Sequence, residues 1–184
     1  MKTTLKTKDM ILCAMFTTLT AAGAFIRIPI PVVPFTLQFL FTMLAGLLLG
    51  PKLGAISVLT YILLGLAGLP VFAEGGGIYY IFKPSFGYLT GFLAGAYVTG
   101  KIAGQVARPS YKRLLAANFT GLFLVYAFGM IYYWAISNYY LGTGIGLWPL
   151  FLYCFILAVP GDIFLCILAA ILGKRLIPIL KNYL

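Results

Sequence analysis

Three acidic side chains occur in the 184 residues, and one of them, Asp162, stands inside an apolar run as Ala158-Val159-Pro160-Gly161-Asp162. An acid at mid-membrane depth costs about 2.5 to 3.5 kcal/mol on insertion scales, so it must face a partner or a polar cavity. The Pro-Gly pair before it interrupts the helix and frees backbone groups, which lipid tolerates only beside protein or a cavity. Either an internal donor pairs with Asp162 or a ligand does. Two further charges, Glu74 and Lys83, fall in the stretch Gly65 to Gly91, with Gly75-Gly76-Gly77, two prolines and the aromatics Phe72, Tyr79 and Tyr88. Glycines let backbone approach a ligand, prolines stop helices and aromatics flank flat molecules, so this stretch reads as a binding loop. Glu74 and Lys83 either pair with each other, contributing little, or meet a polar ligand; a carboxylate would want Lys83. Gln38 and Asn118, within apolar segments, are hydrogen-bonding residues that serve a ligand or a neighbouring helix.

What is missing narrows the chemistry. There is no histidine, and Cys13, Cys154 and Cys166 have neither metal nor redox spacing. A Gly-x-x-x-x-Gly-Lys-Ser/Thr phosphate loop, a Ser-His-Asp set and a cluster of acids are all absent, so hydrolytic, ATPase and metal chemistry are not expected, nor any bound cofactor. The 13 Lys and Arg against 3 Asp and Glu are scattered between apolar runs and form no stripe for nucleic acid. A small-molecule binder or carrier remains.

The elements that hold these residues are membrane helices. With 62% hydrophobic and 9% charged residues, filled by long unbroken apolar runs, the chain is expected to be an all-α integral membrane protein. Six spans are expected, at about residues 9–28, 36–50, 53–69, 86–107, 112–141 and 147–176, in one transmembrane domain over 1–184. The second and third share only Pro51-Lys52 as a turn. The N-terminus, with Lys2, Lys6 and Lys8 before an apolar run, imitates a secretory signal, but the run continues into Arg27-Ile28-Pro29 and cleavage is not expected. Cytoplasmic N- and C-termini put nearly every Lys and Arg inside, leaving Arg27 and Lys83 outside with the Gly65 to Gly91 loop between helices three and four. Small residues repeat every fourth position at Ala14, Thr18 and Ala22 in helix one, and at Gly87, Gly91, Gly95 and Thr99 in helix four. Such faces pack helices inside the bundle or dock another subunit, and helix one is the better docking face.

Several segments together resemble one family. Ile28-Pro29-Ile30-Pro31-Val32-Val33-Pro34-Phe35-Thr36-Leu37-Gln38, then Gly46-Leu47-Leu48-Leu49-Gly50-Pro51-Lys52-Leu53-Gly54-Ala55, then Gly65-Leu66-Ala67-Gly68-Leu69-Pro70-Val71-Phe72-Ala73, then Gly87-Tyr88-Leu89-Thr90-Gly91-Phe92 and Pro160-Gly161-Asp162 look like the BioY family. These are the biotin-specific substrate-binding (S) components of energy-coupling factor transporters. The resemblance implies six membrane helices, an external biotin site and multi-pass placement in a prokaryotic plasma membrane. It also implies partners: a transmembrane coupling (T) protein, met by Ala14, Thr18 and Ala22, and two ATPases. Two departures stand out: Lys83-Pro84-Ser85-Phe86-Gly87-Tyr88 replaces a frequent Gly-Pro-Thr-Gly-Gly-Tyr, and Leu165 stands where the family often has Lys.

Under this resemblance Asp162 accepts from the biotin urea, Gln38 or a backbone N–H donates to it, and Lys83 meets the valerate carboxylate. Phe72, Tyr79 and Tyr88 lie along the apolar middle, and Glu74, Gly75, Gly76 and Gly91 complete the expected contacts. The alternative is a stand-alone secondary transporter of a small carboxylate-bearing vitamin, driven by protons or sodium through Asp162 or Glu74.

Overall fold

The computed structural model describes residues 6–28, 34–106 and 108–183, with side chains to 180. Lys2, the Pro29 to Val33 stretch and the expected helix end at Ala107 lie outside the described residues. The first helix, α1 (Thr7–Phe25), carries Asp9 in its first turn, where Oδ2 accepts from Lys6 N at 3.3 Å and an acid complements the helix dipole. A two-residue antiparallel ladder follows, β1 (Arg27–Ile28) on β2 (Phe35–Thr36), with Arg27 opposite Thr36.

The next helical run, α2 (Gln38–Leu66), replaces the expected second and third spans and contains one non-helical residue, Gly50, at φ 81°. Glycine takes that left-handed conformation without a Cβ penalty. The chain doubles back there: a Cβ on Gly54 would lie 2.8 Å from Ala45 O, which a straight helix would hold far away. The expected hairpin is therefore present, its corner one residue before Pro51. Residues 51–66 hold α1 through Thr17 Oγ1, which donates to Ser57 O at 2.8 Å, and through Cys13 Sγ to Leu53 O at 3.5 Å.

Helix α3 (Phe86–Ala103) crosses the hairpin with backbones nearly touching. A Cβ on Gly46 would run into the Ala96 carbonyl oxygen, and one on Gly100 would lie 2.6 Å from Pro51 N. In lipid, where apolar surface gains nothing by leaving the solvent, such close van der Waals packing holds helices together. Helix α4 (Tyr111–Ala135) starts on Ser110, whose side chain accepts from Arg113 N, and runs on through wide π turns at Ile136–Tyr140. Gly91 of α3 faces the Val125 backbone of α4, and Thr99 Oγ1 donates to Ala117 O at 3.1 Å. Small α3 residues thus pack within the bundle.

The expected last span is one apolar helical run, Leu147–Leu180, with a break in its regular α hydrogen bonding. A short α5 (Leu147–Phe151) passes through π turns at Leu152–Ile156 before α6 (Val159–Tyr183). The break precedes Pro160, which therefore sits in the first turn of α6 where its missing N–H is harmless. Asn118 Nδ2, fully buried, donates to Cys166 O at 2.9 Å and ties α4 to α6.

Among the described residues, Tyr111–Tyr140 and Leu147–Leu180 are each long and apolar enough to cross a membrane, and Gln38–Leu66 is equally apolar but folds back on itself at Gly50. Large apolar side chains cover the outside, with Phe123 71% and Ile131 69% exposed, as a lipid-facing surface requires. The protein is an all-helical membrane bundle with Tyr61, Phe72, Met43 and Leu114 at its centre.

Candidate functional site

One cavity gathers residues from nearly every element. Pro34, Phe35 and Thr36 of the ladder, Gln38 and Phe39 of α2, and Ala73, Tyr80 and Ser85 of the 67–85 loop form one side. Tyr88, Leu89 and Phe92 of α3, Val125 and Tyr126 of α4, and Cys154, Ala158 and Asp162 form the other. The cavity and its open mouth together span about 630 Å³ of non-atom space. Most of the lining is aromatic or aliphatic, with a few polar groups converging on it.

The break before α6 places Asp162. Its position in the first helical turn, set against the positive end of the helix dipole, favours a carboxylate there. Gly161 lets the Phe35 ring lie against this turn, since a Cβ would meet Phe35 Cε2 at 2.5 Å. Tyr126 Oη donates to Asp162 Oδ2 at 2.5 Å. The Tyr126 ring stands edge-on to Tyr88 at 6.0 Å and to Phe155 at 5.4 Å, which fixes its direction. Tyr88 Oη in turn reaches Cys154 O at 3.4 Å.

Gln38 belongs to a separate chain of hydrogen bonds. Thr36 Oγ1 donates to Gln38 Oε1 at 3.1 Å, Gln38 Nε2 donates to Tyr61 Oη at 2.6 Å, and Tyr61 Oη donates to Val71 O at 3.0 Å. The amide is thereby oriented, with one N–H and one lone pair to spare. The cavity thus offers a carboxylate acceptor on α6 and an oriented amide on α2, separated by aromatic faces.

Of the residues singled out from sequence, Gln38, Tyr88 and Asp162 line this cavity. The others lie elsewhere. Phe72, 1% exposed, fills the notch of Gly65 and packs on Tyr61 at 5.4 Å and Tyr80 at 4.5 Å, behind the wall rather than in it. Gly75, at φ 112°, closes a tight bridge with Phe72, and Gly76 is pressed against Leu69 O. These glycines serve close contact of the loop with itself. Tyr79 is 82% exposed, and Gly91 is buried in the α3–α4 crossing.

Glu74 and Lys83 pair with each other at 3.4 Å on the surface, both half-exposed, so solvent screening leaves the pair little stabilising energy. Lys83 Nζ also donates to Glu74 O at 3.0 Å and stands 5.2 Å from the centre of the Tyr80 ring. It is therefore just outside the cavity, behind a side chain that lines it. Arg27, expected at the interface, donates to Ala73 O and fastens the ladder to the loop.

Sequence reasoning missed Tyr126, Tyr80, Thr36, Ser85 and Cys154. Thirteen tyrosines, mostly in apolar runs, gave no reason to choose Tyr126; only the helix crossing puts it beside Asp162. On helix α1, Ala14, Thr18 and Ala22 are all exposed, and Thr18 turns its hydroxyl inward to Ala14 O at 3.0 Å, leaving a smooth outer face. Among the described residues no group of His, Cys, Asp and Glu is placed to hold a metal ion.

A "Probable biotin transporter BioY" of Lysinibacillus sphaericus is 43% identical over 176 residues, 96% of this chain and 90% of its own. The "Biotin transporter BioY" of Thermotoga maritima is 42% identical over 134 residues, 72% of this chain and 76% of its own. The fold superposes on the crystal structure of the S-component for biotin from an ECF-type ABC transporter with a TM-score of 0.80 and 30% identity, covering 96% of this chain and 94% of that one. The sequence matches the BioY family over residues 1–182, and the chain belongs to that family.

Proposed function

We propose that this protein is a membrane subunit that captures biotin and mediates its uptake, with transport energy supplied by two ATPases through a transmembrane coupling protein. The observation that carries the reading is the aromatic cavity with Asp162 and Gln38 in its walls, in a chain whose relatives are biotin transporters. The urea of biotin presents two N–H donors and one carbonyl acceptor. Asp162 accepts from it, the spare Gln38 N–H donates to it, and Tyr88 and Phe92 hold the ring faces. The valerate carboxylate lies toward the mouth, at Ser85 and Tyr80, within reach of Lys83 once that side chain leaves Glu74. Glu74, Gly75, Gly76, Phe72, Tyr79 and Gly91 shape or frame the site without being assigned a contact.

The finer topology is part of the proposal. Counting the two arms of α2 separately, with α1, α3, α4 and the α5–α6 run, makes six spanning segments in one domain over 1–184. The termini face the cytoplasm, and the 67–85 loop faces outward over the cavity. Ala14, Thr18 and Ala22 meet the coupling protein; their exposure and small size support that role. The protein sits in the plasma membrane of a prokaryote and needs no cofactor, biotin being its cargo.

The test is ligand analysis. Protein purified from cells grown with biotin should release stoichiometric biotin by mass spectrometry, and the emptied protein should rebind it tightly. Absence of both would overturn the reading. Uptake into liposomes holding this chain alone, collapsed by an ionophore, would replace partner ATPases with ion coupling.

A further inference from the structure

At the opposite end of the bundle from the cavity, the turn after α3 meets α6 in a second, smaller concavity. It is lined by Arg108, Pro109, Lys174, Ile177 and Pro178 and encloses about 250 Å³ of empty space, counting its mouth. Arg108 is exposed on one side. Lys174 is held on the other: its Nζ donates to Pro109 O at 2.8 Å and stands 5.7 Å from the centre of the Tyr111 ring. Those contacts use one of three ammonium donors and fix the direction of the rest. Buried Pro109 and Ile177 make the floor apolar.

Among the described residues, neither cation has a carboxylate partner. The chain's three acids are all committed elsewhere: Asp9 to Lys6 N, Glu74 to Lys83 and Asp162 to Tyr126. Arg113, the nearby cation on α4, is occupied by Ile102 O at 2.8 Å and by Gln105. A concave pair of cations thus stands unneutralised where membrane helices end, which is headgroup depth.

We propose that this concavity binds the phosphate of an anionic membrane lipid, with Arg108 and Lys174 on the phosphate and the lipid's glycerol and upper chain on Ile177 and Pro178. Arg presents a planar fork to phosphate oxygens, and Lys adds a fixed point charge. The apolar floor selects a lipid over a free anion, because inorganic phosphate gains nothing from Ile177 and Pro178. Basic pockets between spanning helices take lipid headgroups in this way, each cation near the surface contributing to the attraction. A lipid here would cross-brace the α3–α4 turn and the last helix.

The experiment uses the whole protein, delipidated in neutral detergent and titrated with phosphatidylglycerol or phosphatidylcholine under native mass spectrometry. Phosphatidylglycerol should bind about tenfold more tightly, because the choline cation of phosphatidylcholine offsets the charge of the same phosphate beside Arg108 and Lys174. Arg108→Gln, on an exposed side chain, should reduce that preference, and Arg108→Gln with Lys174→Gln should abolish it. Lys6→Gln with Lys8→Gln removes the same charge at the same end of the bundle and should preserve the preference. Millimolar inorganic phosphate should not displace the lipid. Equal binding of the two lipids overturns the proposal. So does an equal loss in the charge-matched control, which would mean diffuse attraction, or displacement by phosphate, which would mean a free-anion site.

Discussion

Tyr126 on α4 donates to Asp162 on α6 at 2.5 Å, and this contact joins two walls of the cavity. It engages one carboxylate oxygen and holds the group ready for a ligand on the other. The hydrogen bond offsets part of the cost of keeping an acid at this depth before any ligand arrives.

The pair should therefore behave as a unit in binding. Asp162→Asn replaces an acceptor oxygen by a donor and should weaken biotin about 10- to 100-fold, the worth of a hydrogen bond to a charged group. Tyr126→Phe should cost less than tenfold, and the double variant should bind no worse than Asp162→Asn alone, because Tyr126 acts through Asp162. Calorimetric titration of the four proteins checks this; additive losses would place Tyr126 in direct contact with the ligand.

Tyr61 bridges Gln38 to Val71 O, so its hydroxyl serves the loop and the site together. Tyr61→Phe leaves the half-buried Val71 carbonyl and the buried Gln38 amide each short of a partner, at a cost of about 1–3 kcal/mol. A fall in thermal stability together with weaker biotin binding is expected. Unchanged binding would mean that the Gln38 amide needs no orientation.

Lys83 and Glu74 compete for partners at the mouth. Lys83→Ala should weaken biotin roughly three- to tenfold more than biotin amide, as expected for one partly screened charge contact. Glu74→Gln frees Lys83 and should leave biotin binding unchanged or tighter, with the effect fading at high salt. Equal losses for acid and amide would remove Lys83 from the carboxylate.

The α2–α3 crossing has no room for a side chain at Gly46, where a Cβ would strike the Ala96 carbonyl. Gly46→Ala should destabilise the bundle by about 1–3 kcal/mol, the usual cost of overpacking. Ala14→Leu with Ala22→Leu, on the exposed face of α1, should leave stability and biotin binding intact yet abolish uptake in cells carrying the partner subunits. Both comparisons need only thermal unfolding and radiolabelled uptake.

Composition and local chemistry by themselves determined the membrane class, the hairpin corner beside Pro51, the small-residue face of α1 and the need of Asp162 for a partner or a cavity. Each depends on a solvation rule or a backbone restriction that acts within a few residues: lipid excludes charge, Gly50 and Pro51 end a helix, and an acid in an apolar run needs a partner. The family resemblance added the ligand. What only tertiary structure decided is which side chains face the cavity. Glu74, Gly75, Gly76 and Tyr79 look like binding residues because glycine, charge and aromatic character are local properties, whereas facing depends on how the 67–85 loop folds against Gly65 and Leu69. Tyr126 was invisible for the converse reason. Its meaning comes from a helix crossing that brings it to a residue 36 positions away, and nothing in its own sequence neighbourhood distinguishes it from the other tyrosines. The Pro160-Gly161 pair marks the break before α6 in the sequence, and packing adds only the Phe35 ring against Gly161.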